Sequence, residues 1–357
     1  MIHFWAPAGT ASADDVLAWN PDLEPDRFAT GFGHAMLELY TRLARGGLEV
    51  SLGHAVPAGT RLVVVFPKSV YQESRLRAVL GEGRRSGGRF AVVRSDTPLS
   101  WRFPVRPVVE FMPNRQAVRR PWQQWLPPLP QRGLVPRRAE RRGRIRSVAF
   151  KGYVQNVPSE LRTAEWADAL GSRDIEWLAD VATDADGAGQ RWHDFASVDA
   201  VLCVRAGRSA RNTERKPATR LINAWSAGSV PLAERDPAYV ELGSEGSDVF
   251  FVDSPFEALP VIDRLNADSE LLMRVERQIE LRAAEFSLTK TLEHWRTALI
   301  DAATSPRARR SRVQVVRVTG ARVGVDVRML LRPARTSMAH LRARAARWKR
   351  GVLRART

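Results

Sequence analysis

Glu214, Arg215 and Lys216 stand directly ahead of Pro217, and an apolar helical pattern through Leu221, Ala224 and Trp225 follows to Gly228. A cation beside a helix start, where backbone N–H groups lie open, suits a phosphate group. Lys216 is read as that cation. Arg215 and Arg220 are as well placed to face solvent as to join it, and Asn223 has the side chain to hold a hydroxyl or simply to satisfy a helix surface. Pro217 suits a first helical position, Gly228 a helix end, and Val230-Pro231-Leu232 a buried strand. Loop, helix, stop and strand in that order are what a nucleotide-binding α/β domain needs. A second set opens near the N-terminus at Gly31-Phe32-Gly33-His34. Gly31 and Gly33 allow close backbone approach to a phosphate, or mark an ordinary loop. His34 can take a proton near neutral pH, or merely begin a helix.

Other chemistries find little support. Asp184-Ala-Asp186 has the form of a metal-binding pair but sits in the turn-forming run Thr183-Asp-Ala-Asp-Gly-Ala-Gly189, so a loop is expected. The histidines at 3, 34, 54, 193, 294 and 340 have no zinc-site spacing, so no metal site is expected. Neither a G-x-S-x-G elbow nor a P-loop is spelled out. The lone Cys203 lies in an apolar run, which rules out a disulfide framework within the chain and fits a reducing compartment.

The elements that would position these groups alternate. Residues 2 to 7, Leu48 to Leu52, Arg61 to Phe66 and Phe90 to Val93 read as strands, with helices over Arg27 to Arg45 and Ser69 to Gly81. Continuous apolar strands between helices imply a parallel sheet covered on both faces. Pro127-Pro128-Leu129-Pro130 and an arginine-rich run then mark a boundary, after which Ser147 to Phe150, a helix near Ser159 to Gly171, Ala200 to Arg205, the 214 to 232 segment and Phe250 to Val252 repeat the alternation. Ser254-Pro255-Phe256-Glu257 reads as a capping box, ahead of helices over Ser269 to Phe286 and Leu288 to Ala303. The expected fold class is therefore α/β, with an N-terminal domain over 1–130, a basic linker over 131–146, a C-terminal domain over 147–304 and a basic tail over 305–357.

The pattern Leu221-Ile-Asn-Ala-Trp-Ser-Ala-Gly228-Ser-Val-Pro231, the turn and helix from Gly31 to Val50, and the closing Asp253-Ser-Pro-Phe-Glu-Ala-Leu259 with the helices after it resemble GT-B fold glycosyltransferases with a glycosyltransferase family 1/4-like C-terminal domain. The resemblance runs through about residues 1 to 303 and is most specific around 214 to 260. It implies two Rossmann-like doubly wound domains facing a cleft, with a nucleoside diphosphate sugar as donor and a hydroxyl of a glycan or lipid-linked acceptor as its target. No metal or other cofactor is implied, since basic side chains and helix dipoles offset the leaving diphosphate. The implied donor contacts are Gly31, Gly33, Arg205, Arg215, Lys216, Arg220 and Asn223, and His34 or Glu214 is the implied acceptor-side base. The two glutamates of retaining members fall here on Arg215 and Asn223.

Charge is concentrated in the tail. Of the net +17, sixteen basic residues against Asp326 alone lie in 305–357, leaving about +2 for the rest. Met338, Leu341, Ala345, Trp348 and Val352 line one face of a helix there, as suits an anionic membrane surface; docking on the protein itself or a disordered tail is the plainer reading. No nucleic-acid reader motif accompanies the charge, so nucleic acid is not the expected partner. Neither a basic start with an apolar core nor a run of about 18 apolar residues is present, so a cytoplasmic protein, peripheral at most on the inner face of the membrane, is expected. The competing reading is a non-catalytic GT-B-like binding protein that uses its basic tail on membrane or nucleic acid.

Overall fold

The computed structural model describes residues 1–305 apart from 86, 88, 96, 183–190 and 208–212. The Asp184-Ala-Asp186 pair and the amphipathic helix expected in 305–357 lie outside the described residues. Among the described residues no helix is long and apolar enough to cross a membrane.

Two wholly parallel sheets form the frame. The first contains β1 (Ile2–Trp5), β2 (Val50–Gly53), β3 (Leu62–Val65), β4 (Phe90–Val93), β5 (Val109–Met112) and β6 (Gln123–Trp125), in the order β2-β1-β3-β4-β5-β6. The second contains β7 (Ser147–Tyr153), β8 (Glu176–Ala182), β9 (Ala200–Cys203), β10 (Val230–Ala233) and β11 (Phe250–Phe251), in the order β11-β10-β9-β7-β8. In both, the second strand lies outside the first and the third lies on its other side. This is the doubly wound order in which a ligand crevice opens at the carboxyl ends of the first and third strands. The strands β1, β3, β4, β9 and β10 are buried at every residue, which is why their sequences are apolar without alternation. Pro231 is tolerated inside β10 because β11 pairs only from Leu232 onward, so no partner strand waits for the missing N–H.

The helices depart from expectation in two places that matter. The single helix expected over Arg27 to Arg45 is split into a 3₁₀ turn at Pro25–Phe28, a π-helical stretch at Gly33–Glu38 and an α-helix at Leu39–Arg45. Gly33 is the reason for the tight turn: a Cβ there would lie 2.9 Å from the Phe28 carbonyl carbon and oxygen. The helix of the 214 to 232 segment begins at Thr219, not at Pro217, and has no side-chain cap at Ala218. Its end is as expected, with Gly228 left-handed at φ 72° and its N–H donating to Ala224 and Trp225. Trp225 stacks on Phe286 at 5.5 Å and donates to the Asp248 carbonyl, which anchors this helix to Ser269–Glu285. The expected capping box does not form: Ser254 makes no cap bond, and Glu257 accepts from Asp253 N at 2.7 Å instead of from Ser254 N.

The chain crosses between the sheets twice. The basic linker over 131–146 is an ion-paired strut. Arg137 is buried and pairs with Asp199 at 2.8 Å and Glu276 at 2.7 Å, and Arg141 pairs with Asp199 at 2.6 Å. The second crossing is the last helix, Leu288–Thr304, which was expected with the second domain and packs on the first sheet. Trp295 lies 4.9 Å from Phe111 and donates to the Pro127 carbonyl, and Arg89 caps the helix by donating to Ser305 and Ala302 carbonyls.

One buried titratable group sits in the first sheet. His3, 1% exposed, bonds Ser51 Oγ and the Gly53 carbonyl at 2.9 Å each. Burial pushes its pKa down to about 4, against a smaller opposing pull from the Gly53 carbonyl. The folded protein therefore holds His3 neutral while the unfolded chain protonates it. Its contribution should be complete above the ordinary pKa of 6.5 and shrink as pH falls toward 4, by up to about 3 kcal/mol. Urea titrations across that window should show the loss, and His3→Gln should flatten it.

Candidate functional site

The crevice of the second sheet lies where β7 and β9 end, and two arginines meet there. Arg205 follows β9, and its Nη2 lies 3.0 Å from Asp236 and donates to the Tyr239 hydroxyl at 3.0 Å. Its Nη1 is buried and makes no hydrogen bond among the described residues. Arg220 reaches back from the first turn of the uncapped helix Thr219–Ala227. Its Nη1 donates to the Val204 carbonyl at 2.5 Å, and its guanidinium lies 5.0 Å over Phe150. Gly152 makes room for it, since a Cβ at that position would stand 2.6 Å from Arg220 Nη2. No carboxylate pairs with Arg220 among the described residues. Burial pulls the pKa of Arg220 down, and the neighbouring charge of Arg205 adds to that. Burial pushes the Tyr239 phenol up to about 12, so Arg205 faces a neutral hydroxyl. The site thus presents two close cations, with the buried Asp236 and Glu234 carboxylates beside Arg205, one buried donor without a hydrogen bond among the described residues, and a helix N-terminus, which suits an anion.

The first sheet contributes a different set. His34, in the π-helical stretch, bonds Glu38 through Nδ1 at 2.9 Å. Glu38 is fully buried and accepts from Arg42 Nε at 3.0 Å, with Arg132 Nη1 at 3.6 Å. Burial alone would raise the Glu38 pKa, but the His34 bond and the charges of His34, Arg42 and Arg132 outweigh it and hold the group below its ordinary range. A carboxylate only accepts, so Nδ1 carries the proton and Nε2 is left as the basic nitrogen. His34 lines a cavity of about 60 Å³ with Phe111, Met112, Leu126 and Trp295, and Pro217 closes it from the other domain. The cavity lies beside the loop that carries Lys216.

The remaining expected residues take varied places. The Gly33 N–H donates to Thr30 Oγ1 and is thus already used, while a Cβ at Gly31 would make ordinary contact with Phe66 Cζ at 4.0 Å. Glu214 is exposed, and its carbonyl and that of Lys216 accept from Asn114 Nδ2 at 2.9 and 3.2 Å. Arg215 and Lys216 are partly buried in the same loop. Asn223 is 8% exposed, and its amide oxygen accepts from Gln131 N at 2.8 Å, so it braces the first crossing. A second tie joins the domains nearby, where Glu241 accepts from Arg115 N and Gln116 N at 2.8 and 3.1 Å. Among the described residues no cluster of His, Cys, Asp and Glu could hold a metal ion. Glu38, Asn114, Gly152, Asp236 and Tyr239 were not singled out from the sequence; only Glu38 had a readable signal, its i+4 spacing from His34.

Two doubly wound sheets, a strut between them and a last helix returning to the first sheet complete the architecture. The fold is GT-B. No protein-family model and no curated protein matches the chain. Among solved structures it is similar to Anabaena Alr3699/HepE in complex with UDP, at 11% identity and a TM-score of 0.49, covering 84% of this chain and 99% of that one. AviGT4, a glycosyltransferase involved in avilamycin A biosynthesis, matches at 14% identity and a TM-score of 0.49, over 85% of this chain and 98% of its own. WaaG, a glycosyltransferase involved in lipopolysaccharide biosynthesis, matches at 14% identity and a TM-score of 0.35, over 86% and 100%.

Proposed function

We propose that the cleft transfers a glycosyl group from a nucleoside diphosphate sugar to an acceptor hydroxyl. The observation that carries this reading is the buried Nη1 of Arg205, without a hydrogen bond among the described residues, beside Arg220, which pairs with no carboxylate among them, at the crevice of the second sheet. A diphosphate would satisfy both. The acceptor hydroxyl attacks the anomeric carbon while Nε2 of His34 takes its proton, and the bond from that carbon to the diphosphate oxygen breaks. Arg205, Arg220 and the N-terminus of Thr219–Ala227 then hold the departing charge, with Lys216 and Arg215 on the loop beside them. Glu38 keeps His34 in the productive tautomer and stabilises the imidazolium that forms. The chemistry asks for no metal, and inversion at the anomeric carbon is the outcome of this single displacement.

A panel of UDP, GDP and dTDP in thermal unfolding tests the donor side, with UDP first because it is the nucleotide bound in HepE. One of them, at about 100 times its Kd, should stabilise the fold by about 2.7 kcal/mol. Arg220→Ala should remove that shift. Binding without hydrolysis or transfer of any nucleotide sugar would instead make this chain a binding protein, and no shift with any nucleotide would overturn the reading altogether.

A further inference from the structure

Arginines and aromatic rings gather on the first domain in a way the donor chemistry does not use. Tyr71 and Trp101 meet at a tilt of 53° with centroids 6.0 Å apart, and the Arg94 guanidinium lies 5.5 Å over Trp101. Arg106 and Arg120 lie 4.4 and 5.2 Å over Trp122, at the start of the edge strand β6. Arg102, Arg106, Arg119 and Arg120 are all exposed. Desolvation, and then the charges of Arg120 and Arg94, pull the Arg102 pKa down, with Arg119 adding to the effect and the Glu110 carboxylate opposing it. Glu110 is buried and already accepts from Arg94 at 2.6 Å and Gln123 at 2.6 Å. Like charges crowded at a surface cost free energy unless an anion joins them.

The patch also reaches the cleft. Arg94, which lies over Trp101, also lines the cavity that His34 shares with Pro217. From this continuity we infer that the patch is the acceptor subsite and that the acceptor is an anionic glycan, bearing carboxylate or phosphate groups. The inference rests on the glycosyl-transfer reading of the cleft. Guanidinium planes fixed on rings are preorganised for two-point contact with such groups. A bilayer would call for more protruding apolar side chains than Tyr71 and Val118, since Trp101 and Trp122 are half-buried. Single-stranded nucleic acid would call for ring faces open to bases, and the Trp122 ring is covered by arginine.

Hydrogen–deuterium exchange on the full chain locates binding by peptide and so separates this patch from the basic tail. Oligogalacturonate should slow exchange in residues 97–125, and a neutral malto-oligosaccharide of equal length should not. The double variant Arg102→Ser, Arg119→Ser should lose that protection while keeping its melting temperature and its nucleotide-induced shift. Equal protection by the neutral sugar, protection confined to 305–357, or protection of 97–125 by anionic vesicles or single-stranded RNA at lower concentration than by oligogalacturonate would overturn the inference. Loss of the nucleotide shift in the unmodified protein would count against the transfer reading instead, and that shift is read in the same samples.

Discussion

Replacing Arg137 by methionine should destabilise the protein by about 3–5 kcal/mol, as breaking a buried ion pair from one side does. Arg137 joins Asp199, which is fully buried, to Glu276, and its Nη2 also donates to the Arg141 and Arg144 carbonyls. Asp199 would keep Arg141, Ser147 and the Arg146 N–H. Glu276 would keep only the Gly143 N–H at 3.2 Å. The cost is thus mainly that of a carboxylate stranded on Ser269–Glu285. Pairing the change with Glu276→Leu should recover part of it, because the stranded charge is then gone. Urea unfolding with a constant m-value would measure both. A loss below about 1 kcal/mol for Arg137→Met would mean that the strut is dispensable, as exposed ion pairs are.

His34→Ala should lower kcat by about 10²–10⁴, the usual contribution of a positioned general base, and leave nucleotide binding intact. Glu38→Gln should also lower kcat, since the hydrogen bond survives while the charge that stabilises the imidazolium does not. Its effect on stability is a separate reading, because Arg42 and Arg132 would lose their common partner. Glu214→Gln should change little, as Glu214 is exposed and absent from the lining of the His34 cavity. Transfer assays with the donor identified by thermal unfolding would rank the three. If Glu214→Gln proved the most damaging, the base would have to be reassigned.

What the sequence revealed of this protein follows from how local each signal was. Strands such as Leu62–Val65 and Ala200–Cys203 were legible because burial on both faces demands an unbroken apolar run. Val109–Met112 and Gln123–Trp125 were not, because Glu110 interrupts the first and the second is a polar edge strand. Glu110 is tolerated through Arg94 and Gln123, which lie 16 and 13 residues away in sequence. The arginine-rich segment read as a basic linker, and its ion pairs stayed hidden because the acidic partners stand 62 and 139 residues from Arg137. The candidate site divides in the same way. The His34 and Glu38 spacing is local and visible, whereas the place of Arg220 depends on an absent side chain at Gly152.

The double crossing between the sheets has a mechanical meaning. The His34 cavity of about 60 Å³ is closed by Pro217, and the Asn114 and Glu241 ties hold the two domains together beside it. Two domains joined by one strand of chain can swing and twist in any direction. Joined at two points, by the strut and by Leu288–Thr304, they keep chiefly the rotation about the line through those points, as a door keeps only its swing. Any such rotation returns Pro217 to the same place against His34, where the two line one cavity.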